Sequence, residues 1–255
     1  MQLSVDKRGF VESILLAELS KNKSRILFER NSNFPRYSAS LVKVFYAIEF
    51  IKLLQKRAIK NRTVFIKDDD LEGYGTDVLS DIVRGQNVVK IDGITLMGLM
   101  LKYSCNSSSS VLTKNFLPKR KGLQVIARKE WGFVNATLVS KKGKAINFFS
   151  LQHFLTLFQF IYSRKGKYWD YLKSKLRTSR NIYYLFDQLE LDILGVKSGT
   201  AKYGKYYWIN NCGVFRLKGK NYFIGAMVSN TSISKAVIRI REIGRELVNK
   251  LKVEN

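Results

Sequence analysis

The amino-acid sequence predicts a mixed α/β (α+β) fold: a five-stranded antiparallel sheet from both termini, flanked by helices, with an inserted all-helical lobe. Two observations predict it. Short apolar runs typical of strands lie near the two ends of the chain, and segments with the apolar period of helices fill the middle. No repeat and no linker rich in proline, glycine or serine divides the chain. We therefore expect one domain over residues 1–255, with a sheet lobe at about 1–60 and 185–255 and a helical lobe at about 61–184.

The predicted strands are short apolar runs separated by polar turns. Near the N-terminus, the runs Phe10 to Leu19 and Ser24 to Glu29 flank the polar Lys21-Asn22-Lys23, which is typical of a hairpin turn. Lys218-Gly219-Lys220 is a similar turn near the C-terminus. Three more strands are predicted there, at Leu191 to Thr200, Tyr206 to Leu217 and Asn221 to Ser229.

The predicted helices follow from apolar residues spaced three and four apart. The segment Ser234 to Leu251 has this spacing and predicts an amphipathic helix that lies on the sheet. Four further helical runs are predicted between the two groups of strands, at Leu41 to Ile59, Thr95 to Lys102, Ser107 to Phe116 and Ser150 to Ser163.

The chain is strongly basic. Its 45 lysines and arginines against 20 acidic residues give a formal charge of +25, so nucleic acid, an anionic membrane or an acidic cell-wall polymer has to be considered as a partner. The cations form scattered groups and not one stripe interleaved with aromatic residues, which disfavours a nucleic-acid groove. We expect a monomer with a solvated basic surface.

Cysteine and histidine are too few for a metal site. A zinc hydrolase needs a ligand set that one histidine, His153, and two distant cysteines cannot supply, so no metal or cofactor is expected. His153 lies in an apolar helix, where a packed histidine is the common case. Cys105 and Cys212 could form one bridge or stay free thiols.

No stretch approaches the roughly 20 apolar residues of a membrane span. Glu12 and Glu18 interrupt the first apolar run, so it does not have the pattern of a secretory signal. The sequence thus predicts either a protein that stays inside the cell or a mature form whose export signal was removed.

The predicted helix that begins near Ser40 carries the most informative pair of residues. It is apolar almost all round, which is typical of a buried helix, and Lys43 is the polar exception in its first turns. A buried ammonium is costly and finds partners or loses its proton. Ser40 lies three residues earlier on the same face, at the positive end of the helix, so the pair offers a nucleophile, a base and a site for an oxyanion.

Taken alone, this Ser-x-x-Lys pattern is weak. The same spacing occurs at Ser4 and Ser20, where the surroundings are polar. Ser40 or Ser38 could be only a helix cap, with Lys43 reaching the surface.

Two further motifs strengthen the pattern. Ser104-Cys105-Asn106 follows an apolar helix, and Lys197-Ser198-Gly199-Thr200 lies on a predicted strand. Ser-x-x-Lys, Ser-x-Asn and Lys-Ser-Gly-Thr, in this order, resemble the class A β-lactamases and the related penicillin-binding serine D,D-peptidases. The resemblance covers nearly the whole chain and implies the β-lactamase/transpeptidase-like fold.

The resemblance implies a catalytic role for four side chains. Ser40 would attack the carbonyl of a β-lactam or a D-alanyl-D-alanine peptide and form an acyl-enzyme. Lys43 would take the Ser40 proton, with Asn106 orienting it and binding the substrate amide. Ser104 would pass a proton to the leaving nitrogen.

It also implies how the third motif binds substrate. Lys197 would assist Ser104 and keep the potential positive for a substrate carboxylate, which the hydroxyls of Ser198 and Thr200 would hydrogen-bond. The backbone N–H groups of Ser40 and Thr200 would form the oxyanion hole, and Gly199 would let the strand approach the substrate. Such enzymes act outside the cytoplasm, so the resemblance implies an extracytoplasmic location.

The sequence departs from the family in two places. Class A enzymes use a loop glutamate after the second motif to activate the deacylating water, yet no acidic residue lies between Glu130 and Asp170. Glu130 itself is a poorly placed substitute. Cys105 also stands where β-lactamases usually have a structural aspartate. Slow deacylation is therefore expected.

Three functions stay open. The first is a class A-like serine hydrolase, and the second is a penicillin-binding D,D-carboxypeptidase or transpeptidase. The third is a non-catalytic protein that uses the same fold and its basic surface to bind an anionic polymer.

Overall fold

The computed structural model describes residues 9–20, 23–71, 77–141, 144–179, 184–187 and 189–254. The strands assigned in them are β1 (Val11–Leu19), β2 (Ser24–Arg30), β3 (Arg36–Tyr37), β4 (Thr63–Ile66), β5 (Val89–Asp92), β6 (Thr137–Lys141), β7 (Lys144–Phe149), β8 (Asp192–Tyr203), β9 (Tyr206–Leu217) and β10 (Lys220–Asn230). The α-helices are α1 (Lys43–Gln55), α2 (Val78–Val83), α3 (Gly93–Lys102), α4 (Asn106–Phe116), α5 (Arg120–Lys129), α6 (Leu151–Ser163), α7 (Lys167–Arg177) and α8 (Ile233–Glu254).

The main sheet has five antiparallel strands in the order β2-β1-β10-β9-β8, which confirms the predicted α+β fold and its sheet from both termini. The first and last segments of the chain meet in the centre, where Leu15 of β1 lies opposite Gly225 of β10. Strand β8 is an edge strand of this sheet and pairs only with β9. The predicted turn at 21–23 lies mostly outside the described residues.

The sheet is covered on both faces. On one face α8 packs through the predicted apolar stripe, with Ile240 and Ile243 in a cluster with Val196 and Ile224 of the strands. On the other face lies the larger core, which contains α1, α3, α4 and α6. Helix α1 is buried on nearly every side, as its sequence predicts.

The inserted lobe is not all helical, and this corrects the prediction. Strands β4 and β5 form a two-stranded sheet, while β3, β7 and β6 form a three-stranded one. These strands are two to six residues long, so they contain too few alternations for the period of two to be recognised. Helices α2, α5 and α7 were also not predicted, and α1 ends at Gln55, short of the predicted Ile59.

No helix in the described part of the chain combines the length and the apolar character needed to cross a membrane.

Gly244 tests the contact between α8 and the segment that precedes β8. A Cβ atom built on Gly244 would lie 1.9 Å from the carbonyl oxygen of Leu185, which is backbone and cannot rotate away. Gly244→Ala should therefore destabilise the fold by about 1–3 kcal/mol, although alanine normally stabilises a helix interior by about 0.5–1 kcal/mol relative to glycine. Urea unfolding measures the change.

The matched control is Arg245→Ala at the next, exposed position of α8. It should change the free energy of unfolding by no more than about 0.5 kcal/mol. A stabilised Gly244→Ala variant would contradict the close packing of α8 on Leu185.

Candidate active site

Ser40 lies at the junction of the sheet and the helical lobe. It belongs to a short 3-10 helix, Ala39–Val42, which runs directly into α1. Ala39 has a positive φ of 47°, an uncommon conformation for a residue with a side chain, and it turns the chain sharply before the helix. Ser40 is half-buried and therefore open to a substrate.

Lys43 is the first residue of α1 and is only 4% exposed, so it does not reach the surface. Ser38 precedes the 3-10 helix but makes no side-chain cap; its hydroxyl donates instead to the backbone oxygen of Asn147. These contacts exclude the alternative in which the serine only caps the helix and Lys43 reaches the surface. At Ser20 the same spacing lies in an exposed turn, where the Ser20 hydroxyl donates to the Lys23 carbonyl.

The ammonium of Lys43 is held by the second motif. Its Nζ donates to the backbone oxygen of Ser104 at 2.6 Å and to Oδ1 of Asn106 at 2.7 Å, and it lies 3.5 Å from the Ser104 hydroxyl. Burial lowers the pKa of Lys43 to about 8, although Cys105 and Asp77 favour the protonated form. A substantial fraction of Lys43 is therefore neutral near physiological pH and able to accept a proton.

Ser104 is shared by two lysines. Lys197 is fully buried, and its Nζ donates to the Ser104 hydroxyl at 3.0 Å and to the backbone oxygen of Ser198 at 2.7 Å. Burial, together with the nearby charge of Lys43, lowers the pKa of Lys197. Ser104 itself has a positive φ of 57°, a strained conformation that places its hydroxyl between the two ammonium groups.

The third motif passes directly beside Ser40. A Cβ on Gly199 would lie 2.8 Å from the backbone nitrogen of Ser40, so only glycine allows β8 to approach this closely. Because β8 is an edge strand, alternate backbone N–H groups on its outer side are not used by the sheet. Thr200 is exposed, whereas Ser198 is buried.

Asp77 is a site residue that the sequence did not predict. One carboxylate oxygen accepts from the backbone N–H groups of Asn106 and Ser107, and the other accepts from Ser80 at the start of α2. Burial opposes the ionisation of Asp77, but these hydrogen bonds outweigh it and hold its pKa below the usual value. The only signal in the sequence is an aspartate at a helix cap position.

Cys105 links Asp77 to the start of α4. Its Sγ accepts from the backbone N–H and the hydroxyl of Ser108, and the thiol also hydrogen-bonds Asp77. Burial raises the pKa of Cys105, which favours a neutral thiol. Cys105 and Cys212 are both buried and free, which decides between the two alternatives left open by the sequence.

Glu130 does not take the place of the missing loop glutamate. It forms an ion pair at 2.7 Å with Lys52, nine residues beyond Lys43 on α1 and therefore about 13 Å further along the helix. The expected loop segment forms β6 and β7. In β7 the Oδ1 atom of Asn147 accepts from Arg120 and Tyr46, so a neutral amide and not a carboxylate is anchored there.

His153 belongs to the packed core and not to a catalytic triad. Its ring stacks on Phe133 at 4.2 Å, and its Nδ1 accepts from the backbone N–H of Ser150 at the start of α6. Burial lowers the pKa of His153 to about 4, so it is neutral. No group of three or more possible metal ligands occurs within the described ranges.

The fold is a five-stranded sheet with a helical lobe, and the site combines an accessible serine with two buried lysines that share a second serine. Together they define a serine hydrolase of the β-lactamase-like class. The comparisons agree with this class. The model of the beta-lactamase enzyme family matches residues 4–251, and the chain belongs to that family.

Solved structures share the fold at low sequence identity. A class A beta-lactamase from Bacteroides cellulosilyticus DSM 14838 is 15% identical with a TM-score of 0.77, covering 94% of this chain and 92% of its own. TLA-1 extended-spectrum beta-lactamase is 16% identical with a TM-score of 0.80 over the same shares. PBP-A is 16% identical with a TM-score of 0.77, covering 98% of this chain and 92% of its own. No curated protein sequence gave a match.

Replacing Asp77 tests its influence on Lys43. The carboxylate of Asp77 favours the protonated form of Lys43, so Asp77→Asn should lower the Lys43 pKa below its value of about 8. NMR titration of protein with ¹³C-labelled lysine side chains measures that pKa directly, without reference to any substrate.

Asp81→Asn is the matched control, because Asp81 is an exposed carboxylate of the same helix α2 that pairs with Arg84. It should leave the Lys43 pKa unchanged. An equal shift in both variants would assign the effect to net charge and not to the position of Asp77.

Proposed function

We propose that this chain is acylated at Ser40 by β-lactams or by D-alanyl-D-alanine-type peptides, and that it releases the acyl group slowly. One observation carries the proposal: the Ser104 hydroxyl lies within 3.5 Å of the Nζ atoms of both Lys43 and Lys197, and the accessible Ser40 precedes Lys43 by three residues. A variant of PBP-A, 17% identical with a TM-score of 0.76, was solved as an acyl-enzyme complex with penicillin G, which supports this chemistry on the shared fold.

In the proposed acylation step, neutral Lys43 accepts the hydroxyl proton of Ser40, directly or through a water, while Oγ bonds to the substrate carbonyl carbon. The positive end of the 3-10 helix and the N–H groups of Ser40 and Thr200 stabilise the resulting oxyanion. Asn106 fixes the position of the Lys43 amine through its Oδ1 and presents its amide nitrogen to the substrate.

The carbonyl–nitrogen bond then breaks, and the leaving nitrogen takes the proton of the Ser104 hydroxyl. Ser104 recovers a proton from Lys43, which carries the one taken from Ser40, so the step is balanced. Lys197 donates to the Ser104 oxygen throughout and stabilises the negative charge that develops on it. Lys197 and the exposed hydroxyl of Thr200 also favour a substrate carboxylate; buried Ser198 is the less accessible of the two hydroxyls.

The proposed slow release follows from the surroundings of the acyl group. Hydrolysis of an ester needs a base to activate water, and the segment 132–147 that should hold the loop contains no aspartate or glutamate. This favours a penicillin-binding D,D-peptidase over an efficient β-lactamase. The third function, a non-catalytic binding protein, is disfavoured because such a protein has no use for two buried lysines, whose burial is costly.

Intact mass spectrometry after incubation with benzylpenicillin tests acylation and release together. The wild type should gain the mass of one drug molecule, and the adduct should persist with little hydrolysed drug, because water activation is weak. A transient adduct with many turnovers would instead indicate an efficient β-lactamase. No adduct and no loss of drug would contradict the proposed substrate class.

The control for this measurement uses the second Ser-x-x-Lys pattern of the described chain. Ser40→Ala should abolish the adduct while far-ultraviolet circular dichroism shows an unchanged fold. Ser20→Ala removes a hydroxyl with the same spacing to a lysine at an exposed turn, and it should be acylated like the wild type.

The pH dependence of acylation follows from Lys43. Only the neutral amine accepts a proton, and with a pKa of about 8 the neutral fraction rises as pH increases. The acylation rate by benzylpenicillin should therefore rise about 50-fold from pH 6 to pH 8 and level off above pH 9.

Lys43→Arg serves as the comparison, since an arginine stays protonated throughout this range and should react slowly at every pH. A rate that is constant between pH 6 and pH 9 in the wild type would contradict Lys43 as the base.

A further inference from the structure

The site residues that the sequence predicted all lie in stretches without a single aspartate or glutamate. Residues 30–48, 93–129, 131–169 and 193–241 contain no acidic residue at all. They include the 3-10 helix and the start of α1, the second motif, strands β6 and β7, all of β9, and β8 after its first residue, Asp192. These elements lie around Ser40, so, apart from Asp77, the described cleft is built from segments with cations and no anions.

Acidic side chains elsewhere in the described chain offset only part of this charge. Asp77 is the carboxylate that reaches the second motif, and its hydrogen bonds with Ser80, Asn106 and Ser107 keep it ionised, so it offsets one positive charge there. Ion pairs form instead at distant positions, such as Glu130 with Lys52 and the carboxylates that hold Arg239.

The lysines that flank the cleft contact aromatic rings. On the sheet side, Lys202 lies 5.2 Å from the ring centre of Tyr207, and Lys205 lies 5.5 Å from that of Tyr206. Within the described ranges, neither lysine has a carboxylate within ion-pair distance, and both are exposed. Their charges are therefore held in place and remain available to a ligand.

Both lysines lie at the end of the β8–β9 hairpin that packs against the segment before Ser40. Lys202 follows Thr200 by two residues on β8, about 6.6 Å along the strand and on the same side of its pleat. Tyr203, next in the chain, stacks on Tyr37 with ring centres 4.8 Å apart, and Tyr37 precedes Ser40 by three residues. This stack fixes the β8–β9 hairpin end beside the segment that carries Ser40.

We propose that this cleft selects acyl donors with a second negative charge, such as peptides or β-lactams that carry a carboxylate besides the one next to the scissile amide. The inference rests on the proposed acylation of Ser40 and names the substrate class for that site. An extra anionic group lowers the free energy of the encounter complex because nearby cations attract it, and screening by salt weakens that attraction.

The test compares two drugs that differ by one carboxylate. Carbenicillin is benzylpenicillin with a carboxyl group on the benzylic carbon, so the ratio of their second-order acylation rate constants isolates the effect of that charge. We expect the ratio of the carbenicillin rate constant to the benzylpenicillin rate constant to be several-fold higher at 20 mM NaCl than at 500 mM NaCl. Intact mass spectrometry of Ser40 adducts over time measures both rate constants.

Two paired variants show where the effect arises. Lys202→Gln with Lys205→Gln removes two charges at the cleft end of β9 and should lower the low-salt ratio about threefold or more. Lys218→Gln with Lys220→Gln removes two charges at the other end of β9, about 36 Å away, and should keep the wild-type ratio.

The outcomes separate this inference from the proposed function. If neither drug modifies Ser40, the proposed acylation is contradicted, and the proposed preference for anionic substrates is contradicted with it. If both drugs acylate Ser40 with a ratio that ignores salt, the proposed function stands and the charge selection is overturned. An equal decrease of the low-salt ratio in the two paired variants also overturns the charge selection, because the effect would then come from total charge and not from the cleft.

Discussion

The burial of Lys43 is the constraint on which the active site depends. An ammonium group with 4% exposure is unfavourable in a core of Phe45, Ile48 and other apolar side chains unless hydrogen bonds satisfy it. Two short hydrogen bonds to Ser104 and Asn106 do so, and burial leaves a pKa of about 8. The same contacts that make the buried lysine tolerable therefore make it a competent base and fix the second motif against α1.

The site exists only where the two lobes meet. Lys197 comes from the sheet and Ser104 from the helical lobe, and the hydrogen bond between them joins residues 93 positions apart in sequence. Gly199 allows β8 to pass within contact of the Ser40 backbone nitrogen, which brings the strand edge and the nucleophile into one cleft.

The departures from the family pattern have different consequences. Cys105 replaces a structural aspartate, but Asp77 supplies a carboxylate to the same turn from outside the motif and holds the backbone of Asn106 and Ser107. Within the described residues the missing loop glutamate has no such replacement, since Glu130 is bound to Lys52 and the segment 132–147 contains no acidic residue. The turn of the second motif is therefore held in place without the aspartate of the family, whereas no described carboxylate takes the place of the loop glutamate.

The sequence by itself determined the five main strands, the amphipathic α8, the buried α1 and the three motifs. These rest on local periods of two and 3.6 residues and on fixed spacings, which need no knowledge of distant contacts. It did not find Asp77, the two small sheets or the helices α2, α5 and α7. Those depend on packing between residues tens of positions apart, such as Lys43 with Ser104, and only the tertiary structure decides which distant side chains share a cavity and lose their water.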